Sequence, residues 1–151
     1  MNVQTVDIKQ WIDDRSMSRY QWLILFLCFL IVTFDGFDAA IMGFIAPAVI
    51  QDWAISRSAF GPILAAAMVG LAAGALLSGP YSDRLGRRRV LLWSVACFAM
   101  FSVLCAFARS PVELAVLRFL TGLGLGAAMP NSTTLLSEYI PKRHRSFLIT
   151  L

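Results

Sequence analysis

Three stretches of the chain carry no charged residue at all: 25 positions over 58–82, 19 over 90–108 and 19 over 119–137. A helix rises about 1.5 Å per residue, so roughly 20 apolar residues cross a hydrocarbon core about 30 Å thick. A chain of 151 residues has no soluble core that could absorb three such runs. Composition agrees, with 58% hydrophobic and 15% charged residues against about 45–50% and about 25% in a typical globular domain. The expected fold is therefore all-α and integral to the membrane. Spans are expected at about 22–50, 58–82, 90–108 and 111–139, and a fifth apolar stretch begins at Ser146. Residues 1–21 read as a polar tail, because the apolar run behind them is too long for a cleavable signal peptide.

Basic residues orient these spans. Lys9, Arg15 and Arg19 lie in the tail, Arg84, Arg87, Arg88 and Arg89 follow the second span, and Lys142, Arg143 and Arg145 follow the fourth. The other two connections hold one each, Arg57 and Arg109. Lysine and arginine are retained on the cytoplasmic side, which places the N-terminus, the 84–89 loop and the 142–145 loop in the cytoplasm. The net charge of +4 is thus a matter of topology. Basic blocks this short, set between apolar spans, point to a bilayer and not to nucleic acid.

Catalytic chemistry finds little support. Cys28, Cys97 and Cys105 all fall inside apolar spans with no CxxC spacing, and read as small buried hydrophobes. His144 stands alone in a basic loop. No nucleophile–base pair, metal cluster or phosphate loop is recognisable, so neither an enzyme, a metal site nor a cofactor is expected. The sequence Gly122-Leu-Gly124-Leu-Gly126 has nucleotide-loop spacing, but it lies in mid-span without a preceding strand. Close helix packing explains it better, as it does the stripe Ala66, Gly70, Gly74 and Ser78, which recurs every fourth residue.

Three ionisable residues do lie within spans: Asp35, Asp38 and Arg118. Each costs at least about 2.5–3.5 kcal/mol to insert, which makes such positions functional candidates. Asp35 and Asp38 are three apart and share a helix face. Asp35 stands roughly 20 Å along the helix from Trp22, near the bilayer midplane. Gly36 between the aspartates weakens the helix there, as in the discontinuous helices of transporters. Arg118 presents a permanently charged fork that fits a carboxylate. Two readings follow: an internal ion pair with Asp35 or Asp38 that stabilises the bundle, or a group that binds a substrate carboxylate or biases the protonation of an aspartate. Both can hold at different stages of a cycle.

The second connection reads Gly79-Pro-Tyr-Ser-Asp83-Arg84-Leu-Gly86-Arg87-Arg88-Arg89. Orienting charge explains the arginines but neither Asp83 nor Gly86. Gly86 permits a tight turn with positive φ, and Asp83 is placed to cap the next helix or pair with Arg87.

This pattern resembles the loop signature of the major facilitator superfamily, between its second and third helices. Arg118-Phe-Leu-Thr-Gly122-Leu-Gly124-Leu-Gly126, with Pro130 beyond, resembles that superfamily's fourth-helix motif. Glu138-Tyr-Ile-Pro141-Lys-Arg-His-Arg145 resembles the segment before its fifth helix. Within the superfamily, Asp35-Gly36-Phe37-Asp38, Gly43-Phe-Ile-Ala-Pro47 and Met129-Pro-Asn131 resemble the aromatic acid:proton symporters, bacterial inner-membrane carriers of 4-hydroxybenzoate, protocatechuate, benzoate and gallate.

The resemblance implies that Asp35 and Asp38 serve transport, that Arg118 acts in proton coupling, and that Asp83 with the 84–89 arginines controls an inner gate. It implies alternating access driven by protons, with a small aromatic carboxylate as substrate and the proton as the only coupling agent. Phe34 and Phe37 are candidates to face the substrate ring, with lipid-facing or packed positions as the equal alternative. The superfamily has twelve helices in two halves, so the resemblance implies an incomplete N-terminal bundle whose partners are the C-terminal helices of the same transporter. A carrier of another organic anion, or a membrane fragment without transport of its own, is the alternative. In a bundle of this size the Gly70/Gly74 stripe is expected to face lipid unless another chain covers it.

Overall fold

The computed structural model describes residues 18–139 and consists of four long helices. Each is long and apolar enough to cross a membrane, and the chain is a multi-pass membrane protein. Helix α1 spans Arg19–Asp52, α2 Arg57–Leu85, α3 Arg87–Cys105 and α4 Pro111–Tyr139.

Local chemistry marks the ends. Ser18 opens α1 with a reciprocal capping box: its Oγ accepts from the Gln21 amide at 3.3 Å, and its own amide donates to Gln21 Oε1 at 2.8 Å. Such boxes satisfy amides that the first helical turn leaves without partners. Ala54 turns the chain with φ of 49°, and Ser56 then caps α2 through the Ala59 amide. At α4, Ser110 Oγ accepts from the Glu113 amide, while Glu113 Oε2 accepts from the Arg109 amide. Pro111 takes the first helical position, where a missing N–H costs nothing.

The helices reach past the uncharged runs. Arg84 belongs to the last turn of α2, and Arg87, Arg88 and Arg89 form the first turn of α3. The connection expected over 84–89 is therefore a single residue, Gly86, with φ of +89°. Hydropathy outlines only the part in hydrocarbon, whereas a helix continues wherever long basic side chains can extend their heads to water. α1 also departs from expectation. It runs unbroken through Asp35, Gly36, Phe37 and Asp38, so it is not discontinuous there. One glycine costs about 1 kcal/mol in a helix, while each backbone group left without a partner in lipid costs several.

α4 is the centre of the bundle, packed against the other three helices. Its glycines make this possible. A Cβ at Gly122 or Gly126 would run into the backbone carbonyls of Ala67 and Leu71 on α2. Reciprocally, a Cβ at Gly70 or Gly74 would meet the carbonyls of Phe119 and Leu123 on α4. Gly124 faces the other way, where a Cβ would lie 2.7 Å from the Phe98 amide nitrogen of α3. The Gly70/Gly74 stripe thus does not await another chain or face lipid; α4 covers it. Dispersion between closely approaching backbones replaces the hydrophobic drive that lipid cannot supply.

α1 is joined more sparsely, by two apolar clusters, a thiol contact from Cys28 to the Ser132 carbonyl and one ion pair. Ile24 and Cys28 meet Leu136 towards one end. Met42 meets Phe60, Ile63 and Leu114 towards the other.

Candidate functional site

Polar residues along α4 spend their hydrogen bonds on their own helix. Thr121 Oγ1 donates to Leu117 O at 2.8 Å, Asn131 Nδ2 to Ala127 O at 2.7 Å, and Thr134 Oγ1 to Pro130 O at 2.7 Å. Arg118 is different. Its side chain is 5% exposed, and Nη1 donates to Asp38 Oδ2 on α1 at 2.6 Å. Its Nε is buried with no partner in the structure. Of the two pairings open to Arg118, the structure therefore holds the one with Asp38.

Asp35 takes another position. It is half-buried, one turn earlier on α1, with no hydrogen bond or ion pair among the described residues. Phe34 and Phe37 are largely exposed. The structure joins Asp38 to Arg118 and leaves Asp35 outside that contact.

A cavity of about 440 Å³ opens beside the ion pair, between α1, α3 and α4. Asp38, Arg118, Ser102 and Cys105 give it polar wall, and Met42, Trp53 and Leu114 give it apolar wall. Cys105 Sγ lies 3.9 Å from Thr121 Oγ1. Cys105 is thus more than the small buried hydrophobe expected of it, and Ser102 and Trp53 belong to no recognisable motif. The sole available signal was helical register: 102 and 105 share a face of α3, but nothing in the residues says which helix that face meets. Among the described residues no cluster of metal-ligating side chains occurs, and the three cysteines are unpaired.

The second motif lies at the junction of α2 and α3. Gly79, Asp83, Arg84, Arg88 and Arg89 are exposed, and Arg87 is partly buried. Asp83 neither caps α3 nor pairs with Arg87: it lies inside α2 and makes no hydrogen bond or ion pair among the described residues. The N-cap of α3 is Gly86, which has no side chain to offer. Its position explains this result, since a residue still in the last turn of one helix points away from the start of the next. Of the third motif, Glu138 belongs to the end of α4, whereas Pro141 and Arg145 lie outside the described residues.

The family model described as Major Facilitator Superfamily matches residues 25–151. The chain belongs to the major facilitator superfamily. It is 66% identical to a gallate transporter of Pseudomonas putida, over 97% of this chain and 32% of the relative. It is 54% identical to the 4-hydroxybenzoate transporter PcaK of Pseudomonas putida, over 97% of the chain and 33% of the relative. A benzoate transport protein of Acinetobacter baylyi is 36% identical over 97% and 32%. The chain thus spans about a third of the length of these relatives. Members of this superfamily are transporters and not enzymes.

Proposed function

We propose that the chain contributes to proton-coupled import of an aromatic carboxylate across the cytoplasmic membrane by alternating access. The observation that carries this reading is the buried pair of Asp38 and Arg118, which links α1 to the central helix α4. A charge pair in lipid is costly to keep for stability alone. A proton on Asp38 removes its charge and releases the guanidinium, whose partnerless Nε and freed Nη1 then suit a substrate carboxylate. Loss of both the substrate and the proton restores the ion pair. The pair therefore favours two states, empty and doubly loaded, which is what coupling requires.

Energetics supply the reason for a proton. An anion entering against an inside-negative potential does work of about 2.3 kcal/mol per 100 mV. One proton travelling with it cancels that term. The relatives that transport gallate, 4-hydroxybenzoate and benzoate support an aromatic carboxylate as the substrate class. The ten-to-two bias of basic residues over the connections supports a cytoplasmic N-terminus.

The test is uptake of labelled gallate and 4-hydroxybenzoate, with and without a protonophore. Cells express either the chain itself or a chimera in which it replaces the matching third of the Pseudomonas putida gallate transporter. Protonophore-sensitive accumulation by the chimera, abolished by Asp38→Asn, is the expected result. Accumulation that survives Asp38→Asn removes this residue from the mechanism.

A further inference from the structure

We propose that the junction of α2 and α3 binds the headgroup of an anionic phospholipid through Arg84, Arg88 and Arg89. A single residue, Gly86, separates the two helices, so these arginines flank one junction at the same end of the bundle. All three are exposed, and among the described residues none forms an ion pair with an acidic side chain. The first turn of α3 contains no acidic residue. Asp83 is the one acid in the segment, so the segment carries a surplus of positive charge.

What lies one turn deeper narrows the choice of partner. Arg84 is three residues from Tyr81, Arg88 four from Leu92, and Arg89 four from Trp93, spacings that share a helix face. Those residues are 57%, 62% and 77% exposed. Each arginine therefore stands above an open apolar or aromatic side chain on its membrane side. A phospholipid matches both levels, its phosphate taking the guanidinium forks and its glycerol and acyl chain lying against the apolar residues below. Free phosphate matches only the upper level. A zwitterionic headgroup would bring its own cation into a field that is already positive.

Trp93 supplies the readout. A variant with Trp93 as its only tryptophan (Trp11, Trp22 and Trp53→Phe) is reconstituted into mixed vesicles of phosphatidylcholine and phosphatidylglycerol. One lipid or the other carries bromine on its acyl chains near the glycerol. Brominated phosphatidylglycerol is expected to quench Trp93 about fivefold more per molecule than brominated phosphatidylcholine, the partition that one arginine at an anionic surface provides. Arg88→Gln with Arg89→Gln is expected to bring that preference close to unity, with Arg84 and Arg87 kept to preserve topology. Should the double variant fail to insert, the comparison of the two lipids on the unaltered arginines decides alone. Equal quenching by both lipids would overturn the proposal and show the arginines to be solvated or covered by protein. Loss of the preference on adding inorganic phosphate would also overturn it, in favour of a site for a free anion.

Discussion

Arg118 Nη1 and Asp38 Oδ2 lie 2.6 Å apart across 80 residues of sequence, and this bond ties the loosely held α1 to the centre of the bundle. Both side chains are well shielded, at 5% and 16% exposure. Removing one partner of a buried pair leaves the other charge without compensation, at a cost of about 3–5 kcal/mol. Asp38→Asn and Arg118→Gln are each expected to destabilise the folded chain by that order. The double variant should lose at least about 1 kcal/mol less than the sum of the two. Unfolding in mixed micelles, run as a double-mutant cycle, measures the difference. Strict additivity would mean that the two side chains do not depend on each other.

The glycines divide into two groups with opposite expectations. Gly70, Gly74, Gly122 and Gly126 each sit where a Cβ would enter a neighbouring backbone carbonyl, and backbone cannot move aside as a side chain can. Gly74→Val or Gly122→Val should separate α2 from α4 and cost at least about 1–3 kcal/mol, as overpacking does. Gly36 and Gly79 have nothing within 4 Å of an added Cβ. Alanine at either is expected to stabilise its helix by about 0.5–1 kcal/mol through propensity alone. Thermal unfolding of the four variants side by side gives the comparison. A neutral Gly122→Val would show that the two helices are not in this contact.

How much of this was legible in the residues depends on the kind of signal. The start of α4 was written locally, in Ser110, Pro111 and Glu113, and so were the small-residue stripes. The partner of Gly70 and Gly74 was not, because a stripe announces close approach without naming what approaches. The ends of α2 and α3 were hidden for another reason: arginines that extend to water interrupt hydropathy without interrupting a helix. Asp35 and Asp38 looked equivalent at a spacing of three. Only the placement of α4 beside α1 separates the aspartate that meets Arg118 from the one that does not. The cavity wall at Ser102 and Cys105 depends wholly on the register of α3 against α4, which no single side chain encodes.

Gly86 joins α2 to α3 at φ of +89° and ψ of 134°, a conformation that L side chains rarely adopt. Nothing lies within 4 Å of an added Cβ, so Gly86→Ala isolates the backbone term from any clash. A cost of about 1–2 kcal/mol is expected, read as lowered thermal stability with unchanged helical content. An unaffected variant would mean that the junction adopts another conformation.

The cavity beside Arg118 makes a separate prediction about the three thiols. Cys105 is on its wall, whereas Cys28 is buried against Ile24 and Leu136, with its thiol directed to the Ser132 carbonyl at 3.9 Å. A thiol reacts as its thiolate and only where the reagent can reach it. Single-cysteine variants exposed to an anionic methanethiosulfonate should therefore label at Cys105 at least about tenfold faster than at Cys28. The product is a mixed disulfide with release of sulfinate, and intact-mass spectrometry follows its rate. Arg118→Gln should slow the reaction at Cys105 by removing the local positive charge, while Cys28 keeps its rate. Labelling of Cys105 as slow as that of buried Cys28 would show that water does not enter the cavity, and the Asp38–Arg118 pair would then have no aqueous route for the proton or the carboxylate assigned to it.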